Sequence, residues 1–336
     1  MKVDTRLPFA DVDVADAARE AVAAGYDGAW AAETKHDPLL SLATATIAAP
    51  ELTLGTGILV AFARSPMTTA VAANDLQTLT RGKFLLGLGS QVKPHIERRF
   101  SMPWSHPAAR MREFVLATRA IWRSWAGEGK LEFEGEFYRH TLMTPYFDPG
   151  PNPYGNPEVI LAGVGTAMTE IAGEVADGFL CHAFTTERFV REVTKPALAA
   201  GATKAGRDPD TIGLVGGPFV VTGRDENELA AAVERARDQI AFYASTAAYR
   251  PVLDLHGWGE LQGELNTLAK QERWPEMGAL VDDEILDAFA VVGEPDRIAA
   301  ETLRRYGDLF TRVTFHAPWS TDADLWRPIA AGIRSA

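Results

Sequence analysis

The chain has one cysteine, Cys181, in 336 residues, which excludes a disulfide within the chain and a zinc cluster built on thiolates. Its seven histidines are scattered without paired ligand spacing, which argues against a metal site. No apolar run approaches the roughly 18 residues that a membrane-spanning helix needs. The first residues carry no basic-then-apolar leader, so a cytoplasmic protein is expected. Positive charge is also scarce. A formal net charge of −12 speaks against general affinity for nucleic acid or anionic membrane, while a small anionic ligand stays open because local fields override net charge. No Gly-x-Gly-x-x-Gly follows the first strand-like segment, so the signature of an open dinucleotide-binding sheet is missing. Cys181, flanked by Phe179, Leu180 and His182, reads as a buried inert thiol in a strand rather than a nucleophile.

What is present is ample apolar material, 46% of residues against 23% charged, and a regular alternation of patterns. Strands are predicted at 3–7, 26–32, 52–60, 83–89, 158–164, 178–183, 212–221 and 312–316. Helices are predicted between them: from an Asp13 cap to Ala24, then 38–49, 66–80, 106–126, 167–176, near 186–206, 226–247, from Pro295 to Tyr306, and after Asp322. Period-two alternation around Gly135 predicts a hairpin near 131–142. Residues 250–290 read as a mostly helical insertion without a clear strand. Strands alternating with helices imply a parallel sheet. Eight strands alternating with helices fit a closed α/β barrel, a (β/α)8 TIM barrel with insertions, as a single domain over 1–336.

The stretch from Leu54 to Pro66, LGTGILVAFARSP, is the most informative segment. Gly55 and Gly57 interrupt a buried strand, where glycine weakens pairing and marks a bulge or the close approach of a ligand. A tight core accounts for one of them better than for two. In a barrel the chemistry sits on loops after the strand C-termini. That rule nominates Glu33–His36, Gly57–Ala63, Ser90–His95, Val164–Met168, His182 and His316.

Several of these loops resemble the bacterial-luciferase-like superfamily, and more closely its branch that uses the deazaflavin coenzyme F420. The similarity covers almost the whole chain. It rests on DGAWAAE at 27–33, GTGI at 55–58, RGKFLLGLGS at 81–90, AGEVADGF at 172–179 and VGEP at 292–295, weak singly and strong in this order. The resemblance implies a TIM barrel with a non-prolyl cis peptide, here Gly57–Ile58, forming a bulge with Val60 behind the coenzyme ring. It implies a coenzyme phosphate on backbone amides at Val164, Gly165, Ala167 and Met168, where glycines and a helix start suit an anion. It also implies coenzyme contacts from Ser90, Gln91 and His95, and from Glu33.

The chain departs from the sugar-phosphate dehydrogenases of that branch. Thr34 stands where they carry a catalytic histidine, and Val92 where they carry a glutamate proton acceptor. The candidate catalytic group is therefore Glu33, Thr34 and His36, with His36 either a proton donor near neutral pH or a loop histidine holding Asp37. The basic run from Lys93 to Arg99 is either a solvated face or a seat for an anionic coenzyme tail. The expected function is an oxidoreductase moving a hydride between F420 and a small organic substrate, reduction favoured over dehydrogenation. One rival is an FMN-dependent monooxygenase of the same superfamily, and a second is a non-enzymatic deazaflavin carrier. Trp104, Trp258 and Trp274 are candidate apolar walls for the substrate. A homodimer is what the resemblance leads one to expect.

Overall fold

The computed structural model describes residues 1–8, 13–320 and 322–335. Its strands are β1 (Lys2–Arg6), β2 (Gly28–Ala31), β3 (Thr53–Thr56), β4 (Leu59–Val60), β5 (Phe84–Gly89), β6 (Phe133–Glu134), β7 (Arg139–His140), β8 (Glu158–Gly163), β9 (Gly178–Cys181), β10 (Gly213–Gly216), β11 (Phe219–Val221), β12 (Ala290–Val292) and β13 (Arg312–Thr314). Pairing runs β3, β2, β1, β13, β10, β9, β8, β5, and β5 pairs back with β3. Eight parallel strands thus close into a (β/α)8 barrel. Tertiary contacts divide the chain into two compact units.

The larger unit holds Thr5–Leu180 and Ala197–Gly213. The predicted strand over 52–60 is two pieces here. β3 pairs in register with β2 (Ala29 opposite Leu54), and β4 pairs with β5 (Val60 opposite Gly89). Between them the Gly57–Ile58 peptide is cis. The seam is tied by Thr56, whose hydroxyl donates to the Gly87 carbonyl at 2.7 Å and accepts from the Gly87 N–H at 2.8 Å. Gly87 is glycine because a Cβ there would fall on the Thr56 carbonyl oxygen. The hairpin is β6 against β7. It is pinned by Glu113, whose carboxylate accepts from the backbone N–H groups of Glu136, Phe137 and Tyr138. Asp37 and Ser65 cap the helices Pro38–Ala48 and Pro66–Leu79, each with proline in its first turn, where the missing N–H costs nothing.

The second unit holds Met1–Asp4, Cys181–Pro196 and Leu214–Ala336. Here the sequence pattern misled at two places. Residues 212–221 read as one strand but break at Pro218. β10 stays in the barrel, and β11 leaves it to pair in parallel with β12, in a segment expected to have no strand. Pro218 lacks the N–H to continue a ladder. The helices Glu226–Ala244, Arg250–His256, Gly259–Lys270 and Asp283–Phe289 surround this pair, burying Phe219, Val221, Ile240, Leu253, Leu265 and Phe289 in an apolar core.

Cys181 ends β9 and is buried, and burial pushes its thiol up to about 12. The thiolate is the reactive form, so the native protein is expected to resist a thiol-specific reagent at pH 8 and to take up one equivalent in urea. Rapid labelling of the folded protein would show that this strand end opens. No described helix is long and apolar enough to cross a membrane.

Candidate active site

Register places the C-terminal ends of β2, β4, β5 and β8 next to one another in the larger unit, β4 and β8 flanking β5. The loops that leave these ends carry most of the nominated residues, so one edge of one unit gathers Glu33, Thr34, His36, Gly57, Ile58, Val60, Ser90, Gln91, His95, Val164, Gly165, Ala167 and Met168.

Glu33 is the organising residue. Its backbone N–H donates to the Ile58 carbonyl at 3.0 Å, while the Gly57 N–H donates to Ala31 at 2.8 Å, so the end of β2 grips both sides of the 57–58 peptide. The Glu33 carboxylate accepts from the Val60 N–H at 2.7 Å and from Arg64 Nη1 at 2.8 and 2.7 Å. Arg64 Nη2 donates to Asp37 at 2.7 Å. The Glu33 side chain is 7% exposed and Arg64 is 18% exposed, so the pair is screened little by solvent. Glu33 thus braces the loop after β4 with both carboxylate oxygens. Sequence reasoning missed Arg64, although a charged residue directly after a buried apolar run was a usable signal.

Thr34 and His36 are both exposed, and the Thr34 carbonyl accepts from Arg99. Beyond β5, Ser90 and Gln91 are half-buried, and Gln91 adopts the left-handed conformation at φ 60°, its side chain accepting from the Val92 N–H. Buried Ile96 anchors the turn His95–Arg99, leaving His95 and Arg98 exposed. Lys93 lies 3.8 Å from Glu97.

Gly55 of β3 has a packing explanation. A Cβ on Gly55 would meet the Trp30 ring at 2.5 Å, and one on Gly57 would touch the same side chain at 3.5 Å. The indole of buried Trp30 fills the space that a side chain on Gly55 would have taken, while a Cβ on Gly57 would make only ordinary contact with it. Gly163 likewise makes room for Met168. Gly165 is different, because nothing lies within 4 Å of the place its Cβ would occupy. It precedes the helix Thr166–Val175, which has no side-chain cap and whose first residues are exposed.

The sequence profile of the luciferase-like monooxygenase family matches residues 11–312. The chain belongs to that family. An uncharacterised protein of Mycobacterium tuberculosis is 52% identical over 313 residues, covering 93% of this chain and 92% of the relative. The 5,10-methylenetetrahydromethanopterin reductase of Archaeoglobus fulgidus is 28% identical over 287 residues, covering 82% of this chain and 80% of its own. Among solved structures, the coenzyme F420-dependent tetrahydromethanopterin reductase of Methanopyrus kandleri shares the fold with a TM-score of 0.78 at 21% identity, covering 98% of this chain and 96% of that one.

The other nominated residues of this luciferase-like chain lie in the second unit. His316 is buried edge-on to Phe219, with ring centroids 4.8 Å apart. His182 is sandwiched by Tyr243 and Tyr249. Trp258 stacks on His256 at 4.6 Å and half-exposed Trp274 leans on Phe242, whereas Trp104, in the larger unit, packs edge-on to Phe62. Each of these tryptophans has a packing partner. Among the described residues no three His, Cys, Asp or Glu side chains come together as a metal site.

Proposed function

We propose that the protein is a coenzyme F420-dependent oxidoreductase that reduces a small organic substrate. The observation that carries this reading is the helix start at Gly165. The helix has no side-chain cap, the residues from Val164 to Ala167 are exposed, and open space lies where a side chain at Gly165 would block an approaching anion. A helix N-terminus of this kind holds a phosphate through its N–H groups and dipole. Val164, Gly165, Ala167 and Met168 hold the coenzyme phosphate in this reading, and Gly57, Ile58, Val60, Ser90, Gln91 and His95 contact the remainder. When bound, the deazaflavin supplies the hydride, and the chain orients it and keeps water away.

Two further observations support the reading. Relatives that match most of the chain include the 5,10-methylenetetrahydromethanopterin reductase of Archaeoglobus fulgidus and an F420-dependent glucose-6-phosphate dehydrogenase of Nakamurella multipartita, 28% identical over 327 residues. Thr34 and Val92 leave the chain without a histidine–glutamate pair to take a proton from an alcohol, which favours reduction. The reading includes a homodimer. Leu40 and Ile47 on one helix and Val71 and Leu79 on the next are exposed, and Asp75 is the single charged residue of those two helices.

The test is a parallel fluorescence titration with F420 and FMN. F420 is expected to bind more tightly at 0.1 M salt. The advantage should shrink at 1 M, as the Debye length falls from about 10 Å to about 3 Å, because Arg98 favours an extended anionic tail. Gly165→Val should weaken F420 binding about tenfold, or about 1.4 kcal/mol, with an unchanged melting temperature. If FMN binds as well as F420 at low salt, the family's monooxygenase chemistry becomes the better reading.

A further inference from the structure

Within the larger unit β2 and β5 are not neighbours, because β3 pairs with both of them and β4 pairs with β5. Paired strands lie about 4.8 Å apart, so the loops leaving β2 and β5 start roughly 10 Å from each other, across the end of β4. The two loops are nonetheless bonded. Beyond β5 the chain makes a wide turn at His95–Arg99, where the Phe100 N–H donates to the His95 carbonyl at 3.0 Å and the Met102 N–H to the Ile96 carbonyl at 3.0 Å. Wide turns of this kind are rare and concentrate at functional positions. Buried Ile96 seats the turn, and exposed Arg99 reaches out of it, its Nη2 donating to the backbone carbonyl of Thr34. The Arg99 guanidinium also lies over the Phe100 ring, 4.8 Å from its centroid. That contact narrows the orientations an exposed arginine would otherwise sample.

We propose that Arg99 is a positioning residue that latches the loop after β5 onto the loop after β2, over the end of β4. Two consecutive residues of the β2 loop then tie one rim together. The Glu33 carboxylate holds the loop after β4 through Val60 and Arg64, and the Thr34 carbonyl holds the loop after β5 through Arg99. The latch uses the backbone of residue 34, so it does not depend on the threonine side chain. Its geometry rests on the larger unit alone, and its ligand rests on the coenzyme reading, which puts Glu33, Val60, Ser90, Gln91 and His95 on this rim. The two adjacent arginines therefore differ in kind. Arg98 is exposed and makes no such tie among the described residues. It acts through its field on an anionic tail, whereas Arg99 acts through a hydrogen bond made at contact.

The test compares the full chain with Arg98→Gln and Arg99→Gln, glutamine being too short to span the gap. Amide hydrogen exchange on the ligand-free proteins, read by mass spectrometry, needs no coenzyme. Arg99→Gln is expected to speed exchange at 33–37 by about threefold or more, because the segment loses its tie, although Thr34 lies 65 residues away in sequence. Arg98→Gln should leave that segment as in the wild type. In F420 titrations Arg99→Gln should weaken binding about tenfold at both low and high salt, the size expected of one hydrogen bond to a charged group. The loss in Arg98→Gln should be confined to low salt, since added ions screen a field across solvent far more than a contact. Unchanged exchange at 33–37 in Arg99→Gln would overturn the latch. So would a loss of affinity in Arg99→Gln that vanishes at high salt, because Arg99 would then act by charge as Arg98 does. If none of the proteins binds F420 while the exchange result holds, the coenzyme reading falls and the latch stands.

Discussion

Asp4→Ala is expected to lower the stability of the protein by about 3–5 kcal/mol, the usual cost of removing one partner from a buried ion pair. Asp4 on β1 and Arg312 on β13 form a two-pronged bridge, with Arg312 Nε and Nη2 each 2.7 Å from a carboxylate oxygen. The Asp4 side chain is fully buried and Arg312 is 11% exposed, so water cannot replace the lost carboxylate around the guanidinium. The large cost comes from the charge left behind. Replacing both residues together, Asp4→Leu with Arg312→Leu, should therefore restore stability to near the wild-type value, since buried pairs often give little net advantage over packed apolar groups. Urea unfolding of the two single and one double variants measures this. A loss below about 1 kcal/mol for Asp4→Ala would show that the pair is effectively solvated.

The barrel was legible because its signal is repeated. Alternating apolar runs and capped amphipathic segments specify strand after helix, and each cap (Asp13, Asp37, Ser65, Asp225) marks a boundary independently of the others. Two features escaped that local reading. Ala290–Val292 is a strand only because β11 lies beside it, and a three-residue apolar run does not announce a distant partner. The break at Gly57–Ile58 sits inside one continuous apolar run, so periodicity alone made it a single strand.

The site was legible in part, for a related reason. Strand-end position is a fold-level property, and it gathered Glu33, Ser90 and Gly165 on one edge. What each residue does there depends on partners far along the chain. Gly55 looked like room for a ligand, but Trp30, 25 residues earlier, takes the space. Gly165, the same residue type at the start of a helix, has open space instead. Glycine in the sequence specifies a missing side chain and leaves unsaid what occupies the gap.

Glu33 is where a positioning role and a catalytic one predict opposite outcomes. If Glu33 braces the loop after β4, Glu33→Ala leaves the Val60 N–H without its acceptor and removes both Glu33 contacts from Arg64, which keeps Asp37. Orphaning a buried donor costs about 1–3 kcal/mol, and the weakened ion pair adds to it, so a loss of about 2–4 kcal/mol in urea unfolding is expected. F420 binding should weaken at least tenfold, because Gly57, Ile58 and Val60 are positioned from the same carboxylate and backbone. Glu33→Gln keeps an acceptor for the Val60 N–H and should recover part of both losses. A group that only moved protons would behave otherwise, with Glu33→Gln fully stable, F420 affinity intact and turnover alone abolished. Fluorescence titration and unfolding of the two variants separate the cases, and wild-type values for both quantities in Glu33→Ala would remove Glu33 from the brace.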